Sequence, residues 1–207
     1  MTPRIVDKEA KRKQILGAAM TVFARKGIND FRMIEIAEAA NVGKGTLYEY
    51  FPSKDELIIG CFSLFMSRFN DHVATQLADV SDPVEKIKKL ISASFEFCLS
   101  DRALFDTIFD FYAAGIPRRD GKSLLTELTP MYKEMIEWVR VIIDDGVSQG
   151  IFKPTDSKVA ASSILALLDG IFFQLALGVI SVDSADFANK VTSVLLNGLL
   201  DHKNPNP

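Results

Sequence analysis

Residues 33–51, MIEIAEAANVGKGTLYEYF, decide how this chain folds. The apolar residues of the first half recur at the spacing that places side chains on one face of a short helix: Met33, Ile36, Ala37 and Ala40. A bend is predicted at Asn41, because asparagine tolerates the left-handed conformation better than most residues with a side chain. Leu47 and Phe51 then lie four positions apart and can pack inward from a second short helix. Two short helices around a tight bend have the layout of a helix-turn-helix.

The second short helix leaves polar and aromatic side chains pointing outward: Lys44, Thr46, Tyr48 and Tyr50. Such side chains suit phosphate oxygens and base edges, and the backbone amides near Gly45 would add to anion binding. Lys54, just past this helix, can reach a nucleic-acid backbone as well. An ordinary helical hairpin with surface tyrosines fits the same spacing, so the pattern alone leaves both interpretations open.

Almost every other segment also reads as helix. Leu16, Ala19 and Phe23 share one face of a first helix, which Gly27 is predicted to end. The third helix must end before Pro52, because the residue that precedes a proline disfavours the helical conformation. A fourth helix is predicted to open at the S-x-x-E capping box of Ser53 and Glu56.

Capping signals continue along the chain. Capping residues followed by proline predict helix starts at Asp82-Pro83 and Thr129-Pro130. Another helix is predicted to start near Pro154, and Asp183 is predicted to cap the last helix. Gly150 is predicted to end the long helix that precedes it. No alternating strand pattern, repeat or long linker interrupts this series, so the predicted fold class is all-α.

Composition limits the classes of function. The chain has 207 residues and a net charge of −3, but residues 1–54 hold ten basic and six acidic side chains. That piece is therefore +4, and the remainder carries −7. A basic N-terminal piece on an acidic body indicates an anionic partner, although a solvated charged helix would have the same composition.

The stretch from Ser162 to Val182 is long enough to span a bilayer. Asp169 near its middle would cost about 2.5–3.5 kcal/mol on insertion scales, and no basic anchors flank the stretch closely. We therefore expect no membrane partner. The predicted arrangement is a helix covered on one side by its own domain and on the other by a second subunit, with the central helix of a monomeric bundle as the alternative.

Other classes find little support. Two cysteines, Cys61 and Cys98, are too few for a disulfide framework, and their apolar neighbours favour buried, inert thiols over a redox switch. Two histidines argue against a multi-histidine metal site, and no catalytic motif is present, so neither an enzyme nor a cofactor is expected. The charged N-terminus has no apolar segment after it, which favours a cytoplasmic protein.

The stretch from Lys13 to Leu57 resembles the TetR-type bacterial transcriptional regulators. The matching positions run in order through the first four helices: Ile15, Ala18, Ala19, Phe23, Gly27, Ile36, Ala37, Val42, Lys44, Gly45, Thr46, Leu47, Tyr48, Phe51, Ser53, Lys54 and Leu57. The resemblance implies a three-helix helix-turn-helix DNA-binding domain over residues 1–53 and a helical ligand-binding and dimerisation domain over 54–207. It also implies a homodimer, joined by the last two long helices, on an inverted-repeat operator in double-stranded DNA.

The chain departs from the family pattern at Asn41, in place of the usual turn glycine, and at Gly43, in place of the serine that caps the third helix. Phe31-Arg32 replaces a threonine-rich cap, and Arg32 is a candidate phosphate contact. The expected backbone contacts are Lys44, Thr46, Tyr48 and Lys54, and the expected base contacts are Gly45, Thr46 and Tyr50.

The C-terminal part is expected to bind a small-molecule inducer, and the fourth helix to transmit its binding to the DNA. The candidate lining residues are aromatic: Phe95, Phe105, Phe109, Tyr112, Trp138 and Phe172. Taken singly, each of them fits plain core better than a ligand site. The main alternative function is a helical small-molecule carrier or scaffold without DNA binding.

Overall fold

The computed structural model describes residues 7–100, 105, 124–181 and 185–200, with side chains left undescribed at 124–128 and 185. Within these residues the chain forms eight helices: α1 (Lys8–Lys26), α2 (Met33–Ala39), α3 (Lys44–Tyr50), α4 (Lys54–Leu77), α5 (Pro83–Ser100), α6 (Leu124–Ser148), α7 (Ser157–Ala176) and α8 (Ala185–Leu199). The extended pairing in this part of the chain is one isolated antiparallel bridge between Phe152 and Leu200. The all-α prediction is confirmed.

The chain divides into two compact units. The first contains residues 7–68, Phe105 and the start of α6 as far as Glu127, and the second contains Phe69–Ser100 and the described residues from Leu128 onward. Helix α4 therefore contributes its first part to one unit and its last part to the other. The functional division predicted at residue 53 stays a prediction.

Helices α1 to α3 enclose a small apolar core in the first unit. Gly27 ends α1 with φ 75°, a left-handed conformation that glycine adopts without steric cost. Phe23, on the last turns of α1, packs its ring 4.7 Å from the ring of Phe31. The Gln14 side-chain amide donates to the Ala40 carbonyl at 2.7 Å, which ties α1 to the end of α2. The apolar positions predicted to face inward are buried.

The start of α4 packs closely against the other helices of the first unit. The Glu56 backbone N–H donates to the Ser53 hydroxyl at 3.1 Å, so the predicted cap is present. Gly60 lies so close to its neighbours that a Cβ there would be 2.9 Å from both Leu16 and Phe51 side-chain atoms. A side chain at position 60 would therefore push these helices apart.

One predicted helix start in the second unit is wrong. Helix α6 begins at Leu124 and runs through Pro130, whereas the sequence signal placed its start at Thr129-Pro130. The predicted start at Asp82 is confirmed, because the Asp82 carboxylate accepts from the Glu85 backbone N–H at 2.8 Å. The cap of α7 is Asp156, two residues beyond the predicted Pro154. Asp183 lies outside the described residues.

Helix α7 is the one helix in the described residues that is long and apolar enough to cross a membrane, with a mean hydropathy of 1.8. One face packs into the second unit, through buried residues that include the predicted ones: Ala161, Ile164, Leu165, Leu168, Ile171, Phe172 and Leu175. Its opposite face leaves large apolar side chains uncovered, among them Val159 and Phe173. Of its most apolar 18-residue window, 39% is buried.

Candidate functional site

Helices α2 and α3 form the helix-turn-helix that the sequence predicts. Asn41 has φ 50°, and this left-handed residue reverses the chain within two positions of the end of α2. Leu47 and Phe51 are buried, as predicted, and anchor α3 to the core of the first unit. Gly43 occupies the N-cap position of α3 without a side-chain hydrogen bond.

An open cleft of about 460 Å³ lies on the first unit, between the start of α2, helix α3 and the start of α4. Eight residues line it: Arg32, Met33, Ile34, Lys44, Tyr48, Pro52, Ser53 and Lys54. Three of them are cationic and none is acidic. The cleft can therefore attract an anion, and Tyr48 adds an exposed hydroxyl and an aromatic edge.

The candidate DNA contacts fall into two groups. The structure brings Arg32, Lys44, Tyr48 and Lys54 together at the cleft. Gly45 is exposed on α3, while Thr46 and Tyr50 are half-buried, and these three do not line the cleft. Tyr50 is therefore less accessible than the outward position that the sequence predicted for it.

Lys54 is held by the protein itself. Its Nζ donates to the Phe31 carbonyl at 2.5 Å and lies 4.5 Å from the centre of the Phe31 ring. The ammonium thus fastens the start of α4 to the loop that precedes α2. A contact with a phosphate would have to use its remaining N–H groups.

Glu35 has more ionic partners than any other residue at this surface. Its carboxylate accepts from Lys26 Nζ at 2.8 Å, from the Arg32 backbone N–H at 3.0 Å, and from the Arg32 guanidinium. These hydrogen bonds, that of Lys26 above all, lower the pKa of Glu35 to about 2. The carboxylate therefore stays charged at any pH at which the protein would work.

The sequence analysis missed several residues of the cleft. Ile34 is exposed and lines it, although it belongs to the apolar run of α2. Its position lies off the face formed by Met33, Ile36 and Ala37, and that signal was available in the sequence. Pro52 and Ser53 line the cleft from the connection between α3 and α4, and Ser53 had been interpreted as a cap alone.

The candidate ligand residues are distributed differently. Phe95 and Phe172 are buried in the second unit with ring centres 5.1 Å apart, and Phe95 also lies 5.9 Å from Phe187. Phe105 is buried and belongs to the first unit. Phe109 and Tyr112 lie outside the described residues. The structure therefore places Phe95, Phe172 and Phe187 in one cluster.

Trp138 lies apart from that cluster, on the surface of the second unit. It is 37% exposed and lines an open cleft of about 200 Å³ between α4 and α6. The other lining residues are Asn70, Ala74, Glu134 and Met135. This cleft presents an indole, an amide and a carboxylate to solvent.

A polar pair interrupts the apolar surroundings of α7. The Tyr132 hydroxyl donates to the Asp169 carboxylate at 3.1 Å. Protein atoms around this carboxylate raise its pKa by removing hydration, and the bond from Tyr132 opposes the shift. The described residues contain no group of three side chains that could hold a metal ion.

Comparisons with known proteins agree with this geometry. The profile of bacterial regulatory proteins, tetR family, matches residues 15–61, and the profile of the C-terminal domain of BetI-type transcriptional repressors matches residues 83–201. The fatty acid metabolism regulator protein of Bacillus subtilis (strain 168) is 24% identical over 194 residues, which cover 93% of this chain and 97% of that protein.

Solved structures show the same fold. The fatty acid degradation regulator FadR of Bacillus halodurans matches with a TM-score of 0.75 and 26% identity, over 90% of this chain and 94% of that one. The FadR of Bacillus subtilis in complex with stearoyl-CoA matches with a TM-score of 0.77 and 23% identity, over 90% and 98%. With the two family profiles covering most of its length, the chain belongs to the tetR family of bacterial regulatory proteins and is a DNA-binding transcriptional repressor with a BetI-type C-terminal domain.

Proposed function

We propose that this repressor holds an inverted-repeat operator with two copies of the cleft between α2, α3 and α4, one from each subunit. The observation that carries the proposal is the convergence of Arg32, Lys44 and Lys54 around the exposed Tyr48, with no acidic residue in the lining. A duplex would neutralise these cations with its phosphates, so binding should weaken steeply as salt concentration rises. Half-sites should lie about 34–36 Å apart, or a multiple of that distance.

The solvent exposure of each candidate residue supports a particular role in DNA binding. Lys44 and Tyr48 reach solvent from the first turns of α3 and suit contacts with the DNA backbone. Gly45 presents bare backbone, and a Cβ built there meets no atom within 4 Å, so a base edge can approach closely. Thr46 and Tyr50 keep their proposed roles at the backbone and the bases, although both are only partly exposed.

The dimer is proposed to form through α7 and α8. Phe173 on α7 and Val194 on α8 are 52% and 71% exposed. Exposure of large apolar side chains to water is unfavourable, and neighbouring ones often mark an interface. A second copy would cover them. Residues 1–53 are the proposed DNA-binding domain and residues 54–207 the proposed ligand-binding and dimerisation domain, with α4 available to transmit a change between them.

The proposed inducer is a small apolar or aromatic molecule. The Phe95–Phe172 pair supplies an apolar wall, and the FadR relative in complex with stearoyl-CoA makes a long-chain acyl-CoA the first compound to test. Induction requires that the ligand bind the DNA-incompetent state better by about 1–3 kcal/mol. Displacement of a bound operator fragment by stearoyl-CoA would identify this class.

We also propose that the protein has no catalytic activity and works in the cytoplasm, where its DNA target lies. The family and the relatives, all of them regulators, support both statements.

The DNA proposal is tested with a fragment selected by the wild-type protein from a random DNA pool. Tyr48→Ala should remain dimeric by size-exclusion chromatography but lose retardation of that fragment in a gel shift, because α3 loses its exposed ring and hydroxyl. Thr21→Ala is the matched control, since Thr21 is exposed on α1, lies outside the cleft, and bonds to the Gly17 carbonyl of its own helix.

Retardation of the fragment by Tyr48→Ala at the wild-type concentration would reject the role of the cleft. Failure of the wild-type protein to select any fragment would favour the carrier or scaffold instead.

A further inference from the structure

Three charged residues meet at the rim of the cleft. Lys26 comes from the last turn of α1, Arg32 precedes α2, and Glu35 lies in the first turn of α2. The side chains of Lys26 and Arg32 are 51% and 75% exposed, whereas that of Glu35 is only 16% exposed. A largely covered carboxylate thus holds two cations that face solvent.

The contacts fix the direction of the guanidinium. Arg32 Nε and Nη2 both donate to the same oxygen of Glu35, at 3.3 and 3.0 Å, and Lys26 Nζ donates to that oxygen as well. The other oxygen of Glu35 accepts from the Arg32 backbone N–H. Because the guanidinium is planar, two donors directed at one oxygen leave its Nη1 hydrogens directed elsewhere.

Surface ion pairs of this kind contribute little to folding stability, because solvent screens them. Their effect on orientation is larger, since an exposed arginine that already occupies one geometry loses less freedom when it binds. Arg32 also lines the cleft, so its fixed direction matters at the place where DNA is proposed to bind.

We propose that Glu35 is a positioning residue for operator recognition: it aims the Arg32 guanidinium at one phosphate of the operator backbone and so sets the register of the protein on its site. This inference rests on the proposed DNA contact of the cleft. Glu35 itself does not touch the DNA. The low pKa of Glu35 keeps the aiming carboxylate charged under all binding conditions.

The proposal predicts opposite changes for two kinds of DNA. Glu35→Gln keeps an oxygen that can accept from the Arg32 backbone N–H, so the helix start is preserved, but it loses the charge that holds the guanidinium. Operator affinity should fall about tenfold, the size of one charge-assisted hydrogen bond. Affinity for random-sequence DNA should rise about twofold, because a negative charge near the phosphates has been removed.

Glu38→Gln is the matched control. Glu38 is an exposed acid on the same helix, and it lies outside the cleft. Its replacement should raise both affinities together by about the same small factor, through charge alone. Titrations by fluorescence anisotropy at several salt concentrations measure both affinities, and thermal melting verifies that each variant is folded.

Two variants of Arg32 complete the test. Arg32→Lys keeps the charge but cannot present the forked donors, so it should lose more affinity for the operator than for random-sequence DNA. Arg32→Ala should reduce the slope of log affinity against log salt by about 0.9, the value for one phosphate contact. In the Arg32→Ala background, Glu35→Gln should no longer lower operator affinity.

The proposal is overturned if Glu35→Gln raises both affinities as Glu38→Gln does, or if it lowers operator affinity equally with and without Arg32. Wild-type operator affinity in Arg32→Lys would also overturn it. All of these outcomes presuppose a wild-type protein that selects an operator, so they are distinguishable from failure of the proposed function.

Discussion

The two units of this molecule present their functional chemistry in opposite ways. In the first unit the candidate residues are exposed cations and a tyrosine around α2, α3 and the start of α4, and Arg32 among them is held by Glu35. In the second unit the candidates are phenylalanines buried on long helices, where ligand wall and core have the same composition. A cluster of exposed cations without an acidic residue indicates a binding site for an anion. A buried apolar cluster does not distinguish a ligand site from plain core.

The strongest test of this contrast removes the aromatic centre of the first unit. Phe31 is 1% exposed, packs on Phe23 and lies beneath the Lys54 ammonium, so Phe31→Ala loses both of these ring contacts. Such truncations cost about 3–5 kcal/mol, a large part of the stability of a small domain. Operator retardation should be lost, whereas size-exclusion chromatography should still show a dimer, because the proposed dimer face lies in the second unit.

A dimer that dissociates in Phe31→Ala would show that the two units do not fold separately. Phe173→Ala provides the opposite control, because its exposed ring belongs to the proposed dimer face of the second unit. That variant should weaken dimerisation and leave the melting of the first unit unchanged.

A smaller effect is expected from overpacking the second unit. A Cβ at Gly146 of α6 would lie 2.1 Å from the Phe152 ring, which is buried and has little room to move. Gly146→Ala should therefore destabilise the protein, because overpacking costs about 1–3 kcal/mol and a gain of up to about 1 kcal/mol in helix propensity offsets only part of it. Thermal or urea unfolding measures the difference.

Gly198→Ala on α8 is the matched control, because a Cβ there meets no atom within 4 Å. It should be neutral or slightly stabilising. A Gly146 variant as stable as the Gly198 variant would show that the Phe152 ring can shift at little cost.

The sequence predicted helix boundaries where local chemistry alone determines them. Asn41 bends the chain through its own backbone preference, and the Asp82 carboxylate caps α5 through a contact three residues away. The start of α6 predicted at Pro130 is wrong for the same reason, since a proline is a local signal. A proline within a helix costs about 3 kcal/mol locally, yet α6 continues through Pro130, which is exposed. The neighbouring residues carry no signal that the helix extends to both sides of it.

The candidate site was predictable to a similar extent. Lys44 and Tyr48 could be assigned to the surface from the positions of Leu47 and Phe51 on α3. The sequence does not predict two bonds at this site, from Lys54 to Phe31 and from Arg32 to Glu35. The first joins residues 23 positions apart, and the second depends on which rotamer a long side chain selects.

The finest comparison between the units uses their cysteines, one buried in each: Cys61 in the first and Cys98 in the second. Burial raises the pKa of both thiols, that of Cys98 to about 12. Since the thiolate is the reactive form, alkylation by iodoacetamide at pH 8 should be about a thousandfold slower in the native protein than in urea. The variants Cys61→Ala and Cys98→Ala assign the rates by mass spectrometry. The alkylation rate of each thiol in the native protein then reports how often its unit opens. Equal rates would mean that the two units open together. Immediate labelling of either thiol would contradict its burial.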